Sequence, residues 1–99
     1  MPSWRRLFRR LMEGSGDFAP DELLLVAARL GCDIRQGGKA SHRVISHELL
    51  RRPGRPVPRI VIVTSRKRAK PYEVARMREF ISLVEETRFF EEAEKDEFH

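Results

Sequence analysis

Residues 60–63 read Ile-Val-Ile-Val and give the clearest indication of a strand in the chain. Four consecutive β-branched residues favour a strand. Apolar side chains at both odd and even positions are typical of a strand that is covered on both faces. We therefore predict a strand over residues 58–65, with a partner or another copy of the chain as one way to cover its second face.

Two further strands are predicted before it, over residues 32–36 and 40–47. Gly37 and Gly38 separate them, which is the spacing of a β-hairpin. Residues 49–56 read Leu-Leu-Arg-Arg-Pro-Gly-Arg-Pro, a basic and turn-rich connection to the third strand. The three strands are therefore expected to form an antiparallel meander.

Helices are predicted on both sides of the strands. Residues 3–13 have apolar side chains at helical spacing, and arginines take the opposite face. A second helix begins near Pro20 and ends at Gly31, and a third runs from Pro71 to residues 89–90. The predicted order α-α-β-β-β-α gives an α+β sandwich, a three-stranded antiparallel sheet with helices on one face.

The charge is distributed unevenly over the 99 residues, whose formal net charge is +5. Residues 85–99 hold seven acidic and two basic side chains, so residues 1–84 hold 18 basic and eight acidic ones, a net +10. We predict one domain over residues 1–90 and a flexible acidic tail over residues 91–99. The basic body favours a polyanion such as nucleic acid, although a high arginine content alone would give the same charge.

Several classes of protein are disfavoured by what the sequence lacks. Cys32 is the one cysteine, so it cannot form an internal disulfide, and no zinc-type ligand spacing is present. The sequence has no secretory leader and no apolar run long enough to span a membrane, so a cytoplasmic protein is expected. It has no phosphate-binding glycine loop, no carboxylate pair placed for sugar chemistry and no metal-ligand triad, so no cofactor or metal is expected.

The best candidate for chemistry is the segment 37–43, Gly-Gly-Lys-Ala-Ser-His-Arg. RNA supplies its own nucleophile, the 2′-hydroxyl, so its cleavage needs a proton-transfer group and cations to hold the phosphate. His42 offers the first, because histidine exchanges protons near neutral pH. Lys39 and Arg43 offer the second. An isolated strand histidine is also a common structural residue, and His47 and His99 are expected to be inert.

Three segments follow one another in an order and spacing that is informative: Leu-Gly-Cys-Asp-Ile-Arg at 30–35, Lys-Ala-Ser-His-Arg-Val at 39–44, and Lys-Arg-Ala-Lys-Pro-Tyr-Glu-Val at 67–74. Through these segments, residues 24–84 resemble the HicA-type toxins of bacterial toxin–antitoxin pairs. The N-terminal helix and residues 14–18 are similar to the leader of one branch of that family. The order and spacing of these segments is more specific than any one of them.

The resemblance implies a double-stranded-RNA-binding-like fold and a type II toxin that cleaves messenger RNA as an endoribonuclease. The family's catalytic histidine corresponds to His42, and the partner is a HicB-type antitoxin that covers the active face. The chain departs from the family at Ala40, where the motif has glycine. If that position needed a positive φ or a close approach of RNA, Ala40 would weaken catalysis.

We therefore expect a metal-independent ribonuclease in which His42 is the general acid or base. The RNA-binding residues are predicted to be Lys39, Ser41, Arg43, Lys67, Lys70 and Tyr72. Tyr72 would stack on a base or donate its hydroxyl, although it could equally pack at the helix start. A non-catalytic RNA-binding module and a protein-interaction module remain as alternatives. A homodimer is left open, and so is an acidic tail that either folds over the basic face or stays solvated.

Overall fold

The computed structural model describes residues 3–14 and 16–97. The chain has an α+β fold, with three α-helices and a three-stranded antiparallel sheet. The elements, in chain order, are α1 (Trp4–Glu13), α2 (Pro20–Arg29), β1 (Asp33–Gln36), β2 (His42–Ser46), a 3₁₀ turn (Glu48–Leu50), β3 (Ile60–Val63) and α3 (Pro71–Glu97). The predicted α+β class and element order are confirmed, and each strand is shorter than predicted.

Helix α1 is fixed at both ends by local hydrogen bonds. The Ser3 side chain accepts a hydrogen bond from the Arg5 backbone N–H at 3.3 Å, which caps the first turn. The helix ends at Gly14, whose φ of 77° is the left-handed conformation that glycine adopts without strain. Leu7 and Leu11 are fully buried, as the apolar periodicity predicts.

Helix α2 begins with Pro20 in its first turn, and Glu22 accepts a hydrogen bond from the Ala19 N–H at 2.8 Å. The loop between α1 and α2 is tied to the start of α3, because the Phe18 carbonyl accepts from the Ala69 N–H at 2.8 Å. Arg78 of α3 donates to the Leu11 carbonyl at 2.6 Å. These contacts hold the helices together on one side of the sheet.

The strands are arranged β1-β2-β3, and both pairs are antiparallel. Ile34 pairs with Ile45, which pairs with Ile60, so one row of isoleucines crosses the sheet. Because directly opposed residues share a face and successive residues change face, Ile45 and Ile62 define the face that the helices cover. Val61 lies on the other face and is 43% exposed, so the sheet is open there.

One hydrophobic core lies between the helices and the covered face of the sheet. It contains, fully or nearly fully buried, Leu7, Leu11, Phe18, Leu23, Val26, Ala27, Ile45, Leu50, Ile62, Met77, Phe80, Ile81 and Val84. These residues come from all three helices, from β2 and β3, from the 3₁₀ turn and, for Phe18, from the α1–α2 loop. The α3 members of the core, Met77, Phe80, Ile81 and Val84, recur at helical spacing and form the face that this helix buries.

The connection from β2 to β3 is anchored at its start. Leu50 is buried in the core, and the His47 ring is held on both sides. Its Nδ1 accepts from the Leu49 N–H at 3.1 Å, and its Nε2 lies 3.3 Å from the Leu30 carbonyl, to which it donates in that tautomer. Every residue from 51 to 59 is exposed. This loop therefore leaves the body just after Leu50 and returns at β3.

Helix α3 is longer than predicted. It passes residues 89–90 without a break and continues to Glu97, so residues 91–97 are helical where the sequence suggested a flexible tail. Residues 85–97 contain no glycine or proline and are rich in strong helix formers, which explains the continuation. Residues 1, 2, 15, 98 and 99 lie outside the described part of the chain. Within it, no helix has the length and apolarity needed to cross a membrane.

Candidate active site

His42 is the first residue of β2 and its backbone is held firmly. Its N–H donates to the Lys39 carbonyl at 2.9 Å, which closes the turn, and its carbonyl accepts from the Gly37 N–H at 2.8 Å. It pairs with Val63 across the sheet. Because Ile45, three positions later, faces the core, His42 and Val44 lie on the open face. The half-buried imidazole is therefore positioned by rigid backbone and remains accessible.

Gly37 makes room for this histidine. A Cβ atom at position 37 would lie 3.1 Å from the His42 Cβ and 3.3 Å from a Val44 methyl carbon, closer than ordinary contact. The same atom at position 38 would meet nothing within 4 Å. The two glycines predicted to form the hairpin therefore differ: Gly37 is closely packed against β2, so that a side chain there would need β2 to shift by a few tenths of an ångström, whereas Gly38 lies in open space.

Of the predicted phosphate ligands in this turn, Lys39 is exposed and Arg43 is partly committed to the backbone. The Arg43 Nη1 atom donates to the Ala40 carbonyl at 2.6 Å and to the His42 carbonyl at 3.1 Å. Arg43 thus braces the turn that carries His42. This role was not predicted, because it depends on how the side chain folds back over the turn.

Ala40 adopts the ordinary backbone conformation of an L-residue. No described residue other than glycine has a positive φ, so alanine in place of the motif glycine costs no backbone strain. Its side chain is exposed. A positive φ is therefore not a reason for glycine at this position, and a close approach of RNA is the other reason that the sequence analysis gave.

The second predicted basic segment lies at the same end of the sheet. The Ser41 carbonyl accepts two hydrogen bonds from Thr64, one from its N–H at 2.7 Å and one from its hydroxyl at 3.0 Å. These bonds join the β1–β2 turn to the start of the β3–α3 loop. Lys67 and Lys70 are exposed in that loop. The fold thus brings the two segments to the same end of the sheet, as a shared site requires.

Tyr72 lies in the first turn of α3 and is 51% exposed. The Arg76 guanidinium lies over its ring, 5.4 Å from the centroid. Tyr72, first, and Glu73 raise the pKa of Arg66 above its ordinary value through hydrogen bonding and charge. The tyrosine therefore carries one cation over its ring and keeps about half of its surface free.

Glu73 is the residue that sequence reasoning missed. It is 1% exposed, and its carboxylate accepts from the Val63 N–H at 2.9 Å, the Lys70 N–H at 2.8 Å and Arg66 Nη1 at 2.9 Å. It thus ties the end of β3 to the start of α3. Its position three residues after Lys70, just after a proline, is a helix-capping signal that was available in the sequence.

Cys32 and His47 lie in surroundings that suit structural roles. Burial, first, and the neighbouring Asp33 raise the pKa of Cys32 to about 11, so its thiol stays protonated near neutral pH. His47 is buried, and both of its ring nitrogens make the contacts described above. His99 lies outside the described residues. Among residues 3–14 and 16–97, no cluster of three His, Cys, Asp or Glu side chains could hold a metal ion.

The comparisons with known proteins add no relative: no family model, no curated protein and no solved structure matches the chain.

Proposed function

We propose that the chain is a metal-independent endoribonuclease of the HicA toxin type, with a double-stranded-RNA-binding-like fold and His42 as its proton-transfer group. The observation that carries the proposal is the position of His42. It lies on the open face of the sheet, at the end of the strands where the turn before β2 and the loop before α3 are joined by the Ser41–Thr64 hydrogen bonds. Both segments are basic, as an RNA-cleaving site requires.

The reaction needs one bond made and one broken. His42 takes the proton of a ribose 2′-hydroxyl, and the oxygen attacks the adjacent phosphorus. The bond from phosphorus to the 5′ oxygen breaks, which leaves a 2′,3′-cyclic phosphate. With one imidazole at the site, water protonates the departing oxygen; in the reverse assignment, His42 gives that proton and water removes the first.

The exposed cations would stabilise the charge that develops on the phosphate. Lys39 precedes His42, and Lys67 and Lys70 lie in the adjoining loop. Amines that are fixed close to the phosphate oxygens favour the transition state over the ground state. Ser41 and Arg43 support the same site through the backbone contacts that hold the turn, and Tyr72 offers a ring on which a base can stack.

A HicB-type antitoxin fits the open face as a partner. Val61 is 43% exposed there, beside the polar and basic residues of the site. A protein that buried this face would remove apolar surface from water and would cover His42 in the same contact.

A non-catalytic RNA-binding module is the second candidate, and one observation favours it. Glu73, the carboxylate next to the site, is saturated by three hydrogen-bond donors and is not free to act as a second proton-transfer group. A protein that only binds RNA would need no such group.

A cleavage assay separates the two candidates. A labelled RNA oligonucleotide is incubated in EDTA with the wild-type protein, with His42→Ala and with His42→Gln. Gln36→Ala, an exposed change in the adjoining strand, is the matched control. We expect both His42 variants to lose about 10²–10⁴-fold in rate, the usual contribution of a general acid–base group, and the control to retain the wild-type rate.

The products should end in a 2′,3′-cyclic phosphate, and an all-deoxy oligonucleotide should stay intact. Equal cleavage by wild type and His42→Ala would refute the role of His42. If the wild type and all variants bind the RNA and none of them cleaves it, the result would favour the RNA-binding module.

A further inference from the structure

The open face of the sheet carries a groove that none of the predicted site residues lines. It has a volume of about 400 Å³, and three arginines line it, Arg35 of β1 and Arg51 and Arg59 of the β2–β3 loop. Its apolar part is formed by Val44, Pro56 and Val57. The groove therefore combines cationic sides with a small apolar floor.

The register of the sheet connects this groove to the candidate active site. Val44 pairs with Arg35 on one side and with Val61 on the other, so this row of residues crosses the open face. His42 is two residues before Val44 in the same strand and therefore lies on the same face. The groove is the next part of that face along β2.

The three guanidinium groups make few hydrogen bonds or ion pairs within the described part of the protein. The one ion pair among them joins Arg51 to Asp33 at 4.0 Å, and about half of each side chain is exposed, so it holds Arg51 weakly. Among the described residues, Arg35 and Arg59 make no side-chain hydrogen bond or ion pair. Three arginines around one groove, with a single weakly paired carboxylate, favour an anionic ligand.

The β2–β3 loop presents Arg51 and Arg59 on a backbone with restricted freedom. Pro53, Pro56 and Pro58 fix φ at three positions, and Gly54 adopts a φ of +74° in the turn that the Arg55 N–H and the Arg52 carbonyl close at 3.2 Å. Arg52 donates to the carbonyls of Leu49 and Arg51. Restricted backbone lowers the entropy lost when a ligand is bound.

We propose that this groove binds the sugar–phosphate backbone of single-stranded RNA next to the nucleotide at His42. The inference rests on the proposed function for the identity of its ligand. None of the aromatic side chains in residues 3–14 and 16–97 lines the groove, so they offer no base stacking there, and the contacts go to phosphates without regard to sequence. The β2–β3 loop is thus an RNA-holding element that extends the site beyond the turn around His42.

The test measures binding of a 12-nucleotide 2′-O-methyl RNA, which lacks the attacking hydroxyl and stays intact. Affinity is measured between 50 and 200 mM salt for the wild type and for the triple variant Arg35→Gln, Arg51→Gln, Arg59→Gln. The matched control is Arg6→Gln, Arg9→Gln, Arg29→Gln, which removes the same charge from exposed positions of α1 and α2. Circular dichroism checks that both variants are folded.

We expect the groove variant to bind at least tenfold more weakly at 100 mM salt and the control to bind less than threefold more weakly. The slope of log affinity against log salt should fall in magnitude by about 2 in the groove variant, since each phosphate contact on a single strand contributes about 0.7. Equal losses in both variants would overturn the proposal, because they would reflect net charge alone.

A second probe tests the class of ligand. A glutamate-rich peptide carrying as many charges as the RNA should compete weakly for the groove. Competition at the affinity of the RNA would overturn the assignment to a polynucleotide and would favour an acidic protein partner. Because the RNA probe is uncleavable, its binding does not depend on the chemistry of His42. Failure of the cleavage assay and failure of the groove proposal are therefore separate results.

Discussion

Ile62 and Val61 are neighbours in β3, yet Ile62 is completely buried beneath the helices and Val61 is 43% exposed on the opposite face. The same difference divides the whole sheet. The covered face buries Ile45 and Ile62 in the core that all three helices share, whereas the open face carries His42, the arginine groove and the exposed Val61. We infer that one face provides stability and the other is available for binding, so substitutions on the two faces should have different consequences.

The largest effect is expected where the end of β3 is tied to α3. Glu73→Ala leaves the part-buried N–H groups of Val63 and Lys70 without their acceptor and removes the partner of Arg66. Hydrogen bonds to a charged group contribute about 1.5–3 kcal/mol each, and because the Arg66 side chain is 34% exposed the loss of all three should cost less than their sum, about 3–5 kcal/mol. Urea denaturation should measure that loss in the free energy of unfolding.

The exposed Glu79 of the same helix provides the control for this change. Glu79→Ala should alter the free energy of unfolding by no more than about 0.5 kcal/mol. A loss below about 1 kcal/mol for Glu73→Ala would show that the carboxylate is not the anchor described here.

The next effect compares the two faces directly. Ile62→Ala opens a cavity in the core and should cost about 2–5 kcal/mol, whereas Val61→Ala removes exposed surface and should cost at most about 1 kcal/mol. Thermal and urea unfolding of both variants measure the difference. Similar losses for the two would contradict the assignment of a covered and an open face.

A smaller effect on stability is expected at the hairpin. Gly37→Ala places a Cβ 3.1 Å from that of His42 and should cost about 1 kcal/mol, because the strand must shift to relieve the contact. It should also slow RNA cleavage, since it displaces the imidazole. Gly38→Ala, with no atom within 4 Å, is the control for both readouts. Equal behaviour of the two variants would argue against the close packing of Gly37.

The smallest effect concerns the departure from the family motif. Ala40 has an ordinary φ and an exposed side chain, so Ala40→Gly relieves no strain. It should lower the free energy of unfolding by about 0.5–1 kcal/mol through the added freedom of the unfolded chain. Cleavage should change less than threefold. A tenfold faster cleavage would mean that the methyl group of Ala40 obstructs RNA.

The sequence was sufficient for those features that depend on local pattern. Helix α1 was predicted from the spacing of Leu7 and Leu11, and the sheet from the strand around Ile62 and the paired glycines. The end of α3 was predicted too early. The acidic composition was read as a solvated tail, although the same residues are strong helix formers that continue an existing helix.

The rest depends on contacts between distant segments. The burial of Glu73 follows from the way β3 returns against α3, and the need for Gly37 follows from the side chains opposite it in β2. The arginine groove needs both the register of β1 and the path of the β2–β3 loop, neither of which a periodicity reveals. Sequence reasoning therefore located His42 but not the surface next to it.

Binding of RNA to the open face, around His42, can be observed residue by residue by nuclear magnetic resonance of the full chain with the uncleavable 2′-O-methyl RNA. We predict that the largest changes in amide and imidazole shifts occur at His42, Val44 and Arg35, and that the outer face of α1 changes little. Largest changes along the arginines of α1, with the open face unaffected, would contradict the account.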